Sequence, residues 1–195
     1  MAKPPYAPYV TRDRAPDASE AVLLVIDMQE YFRGIATPIL PPIKQTISLC
    51  RSAGIPVIYT RHSHRGPSDY GMLYEWWDGD LVFEGTPAAE LLPEVGRGEG
   101  DNLVHKHTYS AFYDTDLESF LRKHGKKEVI ITGVMTNLCC ETNARDAFVR
   151  GFRVFFSTDS TATVNEDLHV STIKNLAYGF AYLVDVSSIK AAFKR

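Results

Sequence analysis

The chain has 195 residues, of which 45% are hydrophobic, and it carries a formal net charge of −3. A chain of this size and composition buries a full core and is typical of one domain. The mixed charges give no basic face for nucleic acid or a membrane surface, and no apolar run approaches the roughly 20 residues that span a bilayer. Three cysteines, two of them adjacent, make a poor disulfide framework, so we expect a reducing, cytoplasmic location.

The first 19 residues are rich in proline and polar side chains and lack the apolar core of a signal peptide. We expect residues 1–19 to form an arm that either lies on the surface or reaches a neighbouring subunit. Residues 20–195 are predicted to form a single domain.

Apolar runs alternate with helical patterns along that domain. Continuous apolar runs are typical of strands that are covered on both faces of a parallel sheet. The alternation therefore predicts an α/β fold, a three-layer α/β/α sandwich around a mainly parallel, Rossmann-like sheet of roughly six strands. Strands are predicted at 21–26, 55–60, 102–105, 128–132, 152–157 and 181–184, and helices at 39–53, 115–124, 166–178 and 187–193. Residues 65–100 are predicted to be irregular, with one short helix at 87–92, and an insertion of that length is usually functional.

The segment from 130 to 151 contains two adjacent cysteines at a strand-to-helix junction. Gly133 permits a sharp turn after the strand, and a helical pattern begins at Asn137 and ends at Gly151. Cys139 and Cys140 are thus predicted in the first helical turn, where backbone N–H groups and the helix dipole favour a thiolate. We predict that Cys139 is a nucleophile. Cys140, whose side chain points about 100° away, is predicted to be a core residue.

Polar side chains follow several of the predicted strands, at the edge of the sheet where ligands bind in such folds. Lys106 would stabilise a Cys139 thiolate, while Asp27 would take the thiol proton and later protonate a departing amine. The turn after Gly133 can aim two N–H groups at a developing oxyanion. Considered one at a time, Asp27 is also compatible with a capping role and Lys106 with a solvated surface position. The residues at this edge are Asp27, His62, His64, Lys106 and Cys139.

Three motifs occur in order along the chain: VIDMQ at 25–29, KHTYSAF at 106–112 and TGVMTNLCC at 132–140. Together they resemble the motifs of isochorismatase-like cysteine hydrolases. TRHSH at 60–64 and LAYGFAYLVD at 176–185 are similar to the nicotinamidase-like branch of that family.

The resemblance implies a catalytic triad of Asp27, Lys106 and Cys139. It also implies a cis peptide bond between Val134 and Met135, with the amides of Met135 and Cys139 as the oxyanion hole. True isochorismatases of the family usually carry glycine at the position of Cys139. A cysteine there implies C–N hydrolysis through a thioester.

The sequence departs from the family pattern at the positions that would bind a metal. Metal-dependent nicotinamidases carry an Asp-x-His pair after the second strand and a further histidine, and their metal holds the pyridine nitrogen. The matching positions are His62 and His64, with Asp69 or Tyr70 near the third, and two imidazoles with a carboxylate are a donor set for zinc. In the alternative, the histidines hydrogen-bond to substrate or loop and no cofactor is required. A metal-free ureido- or carbamoyl-amide hydrolase is then the better model.

Aromatic residues are candidates for a pocket lining that stacks on a flat substrate. Phe112 and one of the tryptophans are equally compatible with core or interface positions. Arg61 is a candidate partner for the carboxylate of a ureide substrate. The predicted pocket residues are Phe32, Arg61, Trp76, Trp77, Tyr109 and Phe112.

We therefore predict a hydrolase of small primary amides, with nicotinamide as the leading substrate and an acyl-Cys139 thioester as intermediate. A ureido- or carbamoyl-amide hydrolase is the alternative within the family. A non-catalytic ligand-binding or thiol-sensing protein is the alternative outside it, although adjacent cysteines are awkward partners for a disulfide. The expected partner is a small-molecule amide, without nucleic acid or membrane, and the protein is expected to be a homodimer or homotetramer.

Overall fold

A single parallel sheet of six strands forms the centre of the protein. The computed structural model describes residues 3–193. The strands are β1 (Ala21–Ile26), β2 (Val57–His62), β3 (Asn102–Lys106), β4 (Glu128–Val134), β5 (Arg153–Ala162) and β6 (Tyr182–Val184). Their order in the sheet is β3-β2-β1-β4-β5-β6. The order reverses between β1 and β4, which is where open α/β sheets form their ligand crevice. The predicted Rossmann-like α/β fold is confirmed.

Helices cover both faces of this sheet. The helices are α1 (Arg33–Ala36), α2 (Leu40–Ser52), α3 (Gly71–Trp76), α4 (Leu117–Lys123), α5 (Glu141–Val149), α6 (Glu166–Gly179) and α7 (Val186–Phe193). Strand β1 is fully buried, and its side chains alternate between two hydrophobic clusters. Leu23 packs in the cluster of α2 and α7, and Leu24 packs in the cluster of α4, α5 and α6. Within residues 3–193 no helix has the length and apolar character to cross a membrane.

Several segments differ from their predicted structure. Strand β5 continues to Ala162, five residues beyond its predicted end, and helix α1 was not predicted. The insertion at 65–100 contains α3, which the sequence pattern did not indicate, and 3-10 turns at Pro87–Ala89 and Pro93–Val95 in place of the helix at 87–92. The cysteine segment begins as a π-helical turn at Thr136–Cys140, and regular helix starts only at Glu141. Such π turns are frequent at functional sites.

Gly133 brings the ends of β1 and β4 unusually close. Its φ is 112°, and a Cβ placed on it would meet the backbone of Ile26, including the carbonyl oxygen and, at 2.7 Å, the nitrogen. Only glycine fits this approach. The residues that follow the two strands, Asp27 and the cysteine turn, are thereby held next to each other.

The N-terminal arm, described from residue 3, lies on the surface of the domain. The Thr11 hydroxyl donates to the carbonyls of Ala177 and Tyr178 at the end of α6, at 3.3 and 3.2 Å. The Asp17 N–H donates to the buried Glu128 carboxylate at 2.7 Å. These bonds tie the arm to α6 and to the start of β4.

Candidate active site

The three predicted catalytic side chains meet beyond the carboxyl ends of the strands. Asp27 follows β1, Lys106 ends β3, and Cys139 lies in the π turn after β4. The Lys106 Nζ is 2.7 Å from Asp27 Oδ2 and 3.4 Å from Cys139 Sγ. All three residues are buried. The ammonium is thus in contact with both the acid and the thiol.

Asp27 is held in place through its backbone and one carboxylate oxygen. Its φ of 47° lies in the left-handed region, which few non-glycine residues adopt. The Thr60 hydroxyl donates to Asp27 Oδ1 at 2.5 Å and accepts from the Asp27 N–H at 3.0 Å. Oδ2 has the ion pair with Lys106 but no well-aligned hydrogen-bond donor among residues 3–193. This oxygen therefore retains a lone pair for a proton.

Lys106 stays charged despite complete burial. Burial by itself disfavours the ammonium, but the Asp27 carboxylate and the Cys139 sulfur outweigh it, so the pKa of Lys106 is raised. The Nζ also donates to the Thr108 carbonyl at 2.9 Å. A charged ammonium held by these three partners can stabilise a thiolate as it develops on Cys139.

Burial and the neighbouring Lys106 charge act on the Cys139 thiol in opposite directions. Burial raises its pKa to about 12, although Lys106 opposes the shift. Burial thus opposes the predicted effect of the helix start, which favours a thiolate, and the sequence does not show how completely the sulfur is removed from water. Cys140 is fully buried in the core, and burial likewise raises its pKa.

A cavity of about 640 Å³ opens above Cys139. Four of the predicted pocket residues line it: Phe32, Trp76, Trp77 and Tyr109. The Trp77 indole N–H donates to the Tyr109 hydroxyl at 3.0 Å, which fixes one wall. Further lining residues, most of them apolar, were not predicted: Tyr31, Ile35, Leu73, Asp80, Leu81, Val82, Asn137, Leu138, Val164 and Leu168.

Two predicted pocket residues lie elsewhere. The Arg61 guanidinium pairs with Glu90 at 3.3 Å and contacts the His105 ring at 3.4 Å, so it is not available to a substrate carboxylate. Phe112 is buried in the core against Phe152, with ring centroids 6.0 Å apart. Both were wrongly assigned to the pocket.

The two histidines after β2 are buried neighbours, with ring centroids 4.9 Å apart. His62 Nδ1 and His64 Nε2 lack hydrogen-bond partners among the described residues, which provides two imidazole donors. Asp69 does not complete the predicted ligand set, because its Oδ1 lies 3.3 Å from His64 Nδ1 and its Oδ2 accepts from the Arg65 N–H at 2.8 Å.

Residues 3–193 contain no cluster of three histidine, cysteine or acidic residues that would hold a metal. A zinc site held by the protein needs at least three such ligands. The predicted set of His62, His64 and Asp69 therefore does not fit zinc, and the imidazole of His62 remains as a polar group in the cavity wall.

The backbone around Cys139 has the cis peptide bond that the resemblance implies. The peptide bond between Val134 and Met135 is cis, and the Met135 carbonyl accepts from the N–H groups of Leu138 and Cys140, both at 3.1 Å. The turn therefore folds back over Met135, next to Cys139.

Comparison with known proteins decides the family. An Isochorismatase domain model matches residues 21–188. The chain belongs to the isochorismatase family. It is 55% identical over 184 residues to Nicotinamidase 3 of Arabidopsis thaliana, which covers 93% of each chain. The predicted family and its nicotinamidase-like branch are confirmed.

Solved structures of the isochorismatase family share the fold. A cysteine hydrolase from Pseudomonas syringae superposes with a TM-score of 0.87 at 26% identity, covering 99% of this chain and 100% of that one. A pyrazinamidase from Pyrococcus horikoshii, solved in complex with zinc, superposes with a TM-score of 0.75 at 27% identity, covering 85% of this chain and 99% of that one.

Proposed function

We propose that this protein hydrolyses a small primary amide, with nicotinamide as the leading substrate, to the carboxylic acid and ammonia. The observation that carries the proposal is the buried contact of Lys106 with both Asp27 and Cys139 at the base of an aromatic cavity. The 55% identity to a relative named as a nicotinamidase supports the substrate.

In the first half-reaction, Cys139 Sγ attacks the amide carbonyl carbon as its proton passes to Asp27 Oδ2. Lys106 stabilises negative charge on the sulfur, and the amides of Met135 and Cys139 are proposed to bind the oxyanion. The C–N bond then breaks, and protonated Asp27 returns the proton to the leaving nitrogen. Ammonia departs and a thioester remains on Cys139.

In the second half-reaction, a water molecule attacks the thioester carbonyl while Asp27 accepts its proton. The C–S bond breaks, the acid product is released, and Cys139 regains the proton from Asp27. One water is consumed for each amide hydrolysed. The side chains of this protein supply every proton transfer, so the proposed reaction requires no cofactor.

The cavity suits a flat, neutral substrate. Its volume of about 640 Å³ lies in the range of small-molecule sites, and Phe32, Trp77 and Tyr109 offer rings for stacking. No arginine or lysine is among the described residues that line it. This favours nicotinamide over the alternative of an acyclic, anionic ureide, for which Arg61 was the expected partner.

Exposed apolar residues beside the cavity support a homodimer or homotetramer. Trp76 is 72% exposed and Val164 is 60% exposed, and both line the cavity mouth, where contact with a second subunit would cover them. Light scattering of the purified protein measures the oligomeric state.

The free cysteines at positions 50, 139 and 140 support a reducing cytoplasmic location.

The decisive assay is ammonia release from nicotinamide by the wild type, by Cys139→Ala and by the control Cys140→Ala. We expect turnover above about 1 s⁻¹, an ordinary enzyme rate, in the wild type and the control, and none in Cys139→Ala. Mass spectrometry of a quenched reaction should find the acyl group on Cys139. No release would refute nicotinamide as the substrate, and equal loss in both variants would refute the special role of Cys139.

A further inference from the structure

Asn143 is a buried polar side chain in the first turn of α5. Its Nδ2 donates to the Cys139 carbonyl at 2.8 Å and to the Tyr109 carbonyl at 3.1 Å. Its Oδ1 accepts from the Ala111 N–H at 2.9 Å. Both donors and the acceptor of this amide are therefore in use, all on backbone groups.

These bonds join two segments whose relative position matters for the proposed reaction. One is the turn that carries Cys139. The other is the segment 109–111, which follows Lys106 closely and places the Tyr109 side chain in the cavity wall next to Trp77. Asn143 thus links the nucleophile to the wall against which the substrate would rest.

A second contact holds segment 109–111 to α5 without reaching the nucleophile. The Ser110 hydroxyl donates to Asp146 Oδ2 at 2.5 Å and accepts from the Phe112 N–H at 3.0 Å. Ser110 therefore offers a comparison, because its loss loosens the same segment but leaves the Cys139 carbonyl bonded to Asn143.

We infer that Asn143 is a positioning residue that sets the distance between the Cys139 sulfur and the carbonyl carbon of the bound amide. The inference rests on the proposed function. Without the Nδ2 donor, the Cys139 and Tyr109 carbonyls lose a shared partner, and the turn and the cavity wall are free to separate. A misplacement of about 1 Å can lower a rate about a hundredfold.

The matched test is Asn143→Asp, which keeps the shape and an acceptor for the Ala111 N–H but removes both donors. Asn143→Ala, which adds no charge, is measured alongside it. The controls are Ser110→Ala and Asn175→Asp, the same exchange at an exposed position of α6. We expect kcat for nicotinamide to fall about a hundredfold in both Asn143 variants, with a much smaller change in KM. Ser110→Ala should mainly raise KM, and Asn175→Asp should behave as wild type.

Cysteine labelling gives a readout that does not depend on the substrate. Peptide mapping after iodoacetamide treatment should show faster labelling of Cys139 in the Asn143 variants, with Cys50 in the core unchanged. Equal acceleration at Cys50 would mean general unfolding and would overturn the inference, as would wild-type kcat and labelling. If the wild type hydrolyses no amide, the proposed function fails, and selective labelling of Cys139 then decides whether Asn143 holds the nucleophile.

Discussion

The ion pair between Asp27 and Lys106 offers the strongest test of the site, because it is structural and its proposed role is catalytic. Both side chains are fully buried, and their charged atoms are 2.7 Å apart. At an effective dielectric constant of about 20, the attraction at that distance is about 6 kcal/mol, most of which offsets the loss of hydration of the two charges. Removal of one partner leaves the other charge buried and unpaired.

The variants to compare with the wild type are Lys106→Met, Asp27→Asn and the double variant that carries both changes. Each single change should lower the free energy of unfolding by about 3–5 kcal/mol. The double variant should cost less than the sum of the two by at least about 1 kcal/mol, as expected for residues in direct contact. Urea denaturation at neutral pH measures all three. Activity should be absent from every variant, so that the double variant recovers stability without recovering catalysis.

The exposed pair of Arg65 and Glu84 is the matched control. The Arg65 side chain is 74% exposed, and Arg65→Met should cost no more than about 1 kcal/mol. If the costs of Asp27→Asn and Lys106→Met are as small as this, or are strictly additive, the two groups are not a buried charge pair. The proposed proton acceptor would then lose its electrostatic partner.

Three further predictions address the backbone, the thiol and the histidines. Gly133→Ala forces a Cβ against Ile26 at a positive φ and should lower the free energy of unfolding in urea by about 3 kcal/mol or more. The control Gly34→Ala, with open space around the new Cβ, should be nearly neutral. Equal stability of the two variants would contradict the close approach of Gly133 to Ile26. Since the pKa of Cys139 is raised to about 12, its thiolate fraction and its iodoacetamide labelling should rise about tenfold per pH unit above neutrality, and a plateau near pH 7 would show that the resting group is a thiolate. Elemental analysis should find far less than one zinc per chain, and His62→Phe should raise KM for nicotinamide; a full equivalent of zinc would show that the two imidazoles recruit a further ligand.

The proximity of the three proposed catalytic positions was predictable because the sequence patterns that mark them are local. Apolar runs locate the ends of parallel strands, and the fold brings those ends to one edge. Asp27 and Lys106 each come at such an end, and the glycine at 133 precedes the cysteine turn. These patterns are sufficient to predict that an acid, an ammonium and a thiol lie close together.

The pocket was harder to predict because it depends on which face each side chain takes. Arg61 and His62 are adjacent in β2 and therefore point to opposite sides of the sheet, so the two could not both face the cavity; His62 does. The alternation of side chains along β2 therefore predicts that only one of these two residues faces the cavity. Phe112, by contrast, lies in a loop between β3 and α4, where no periodicity indicates the direction of a side chain.

The raised pKa of Cys139 also bears on how the nucleophile is made. Because burial raises the pKa of Cys139, ionising the thiol into water at neutral pH is unfavourable. A carboxylate oxygen of Asp27 with an unused lone pair can accept the proton as the carbon–sulfur bond forms, and Lys106 contacts both the donor and the acceptor of that proton. The burial that keeps the free thiol unreactive therefore also keeps the proton inside the site. We therefore expect Cys139 to react when an amide carbonyl is bound in the cavity, and not as a thiolate exposed to other electrophiles.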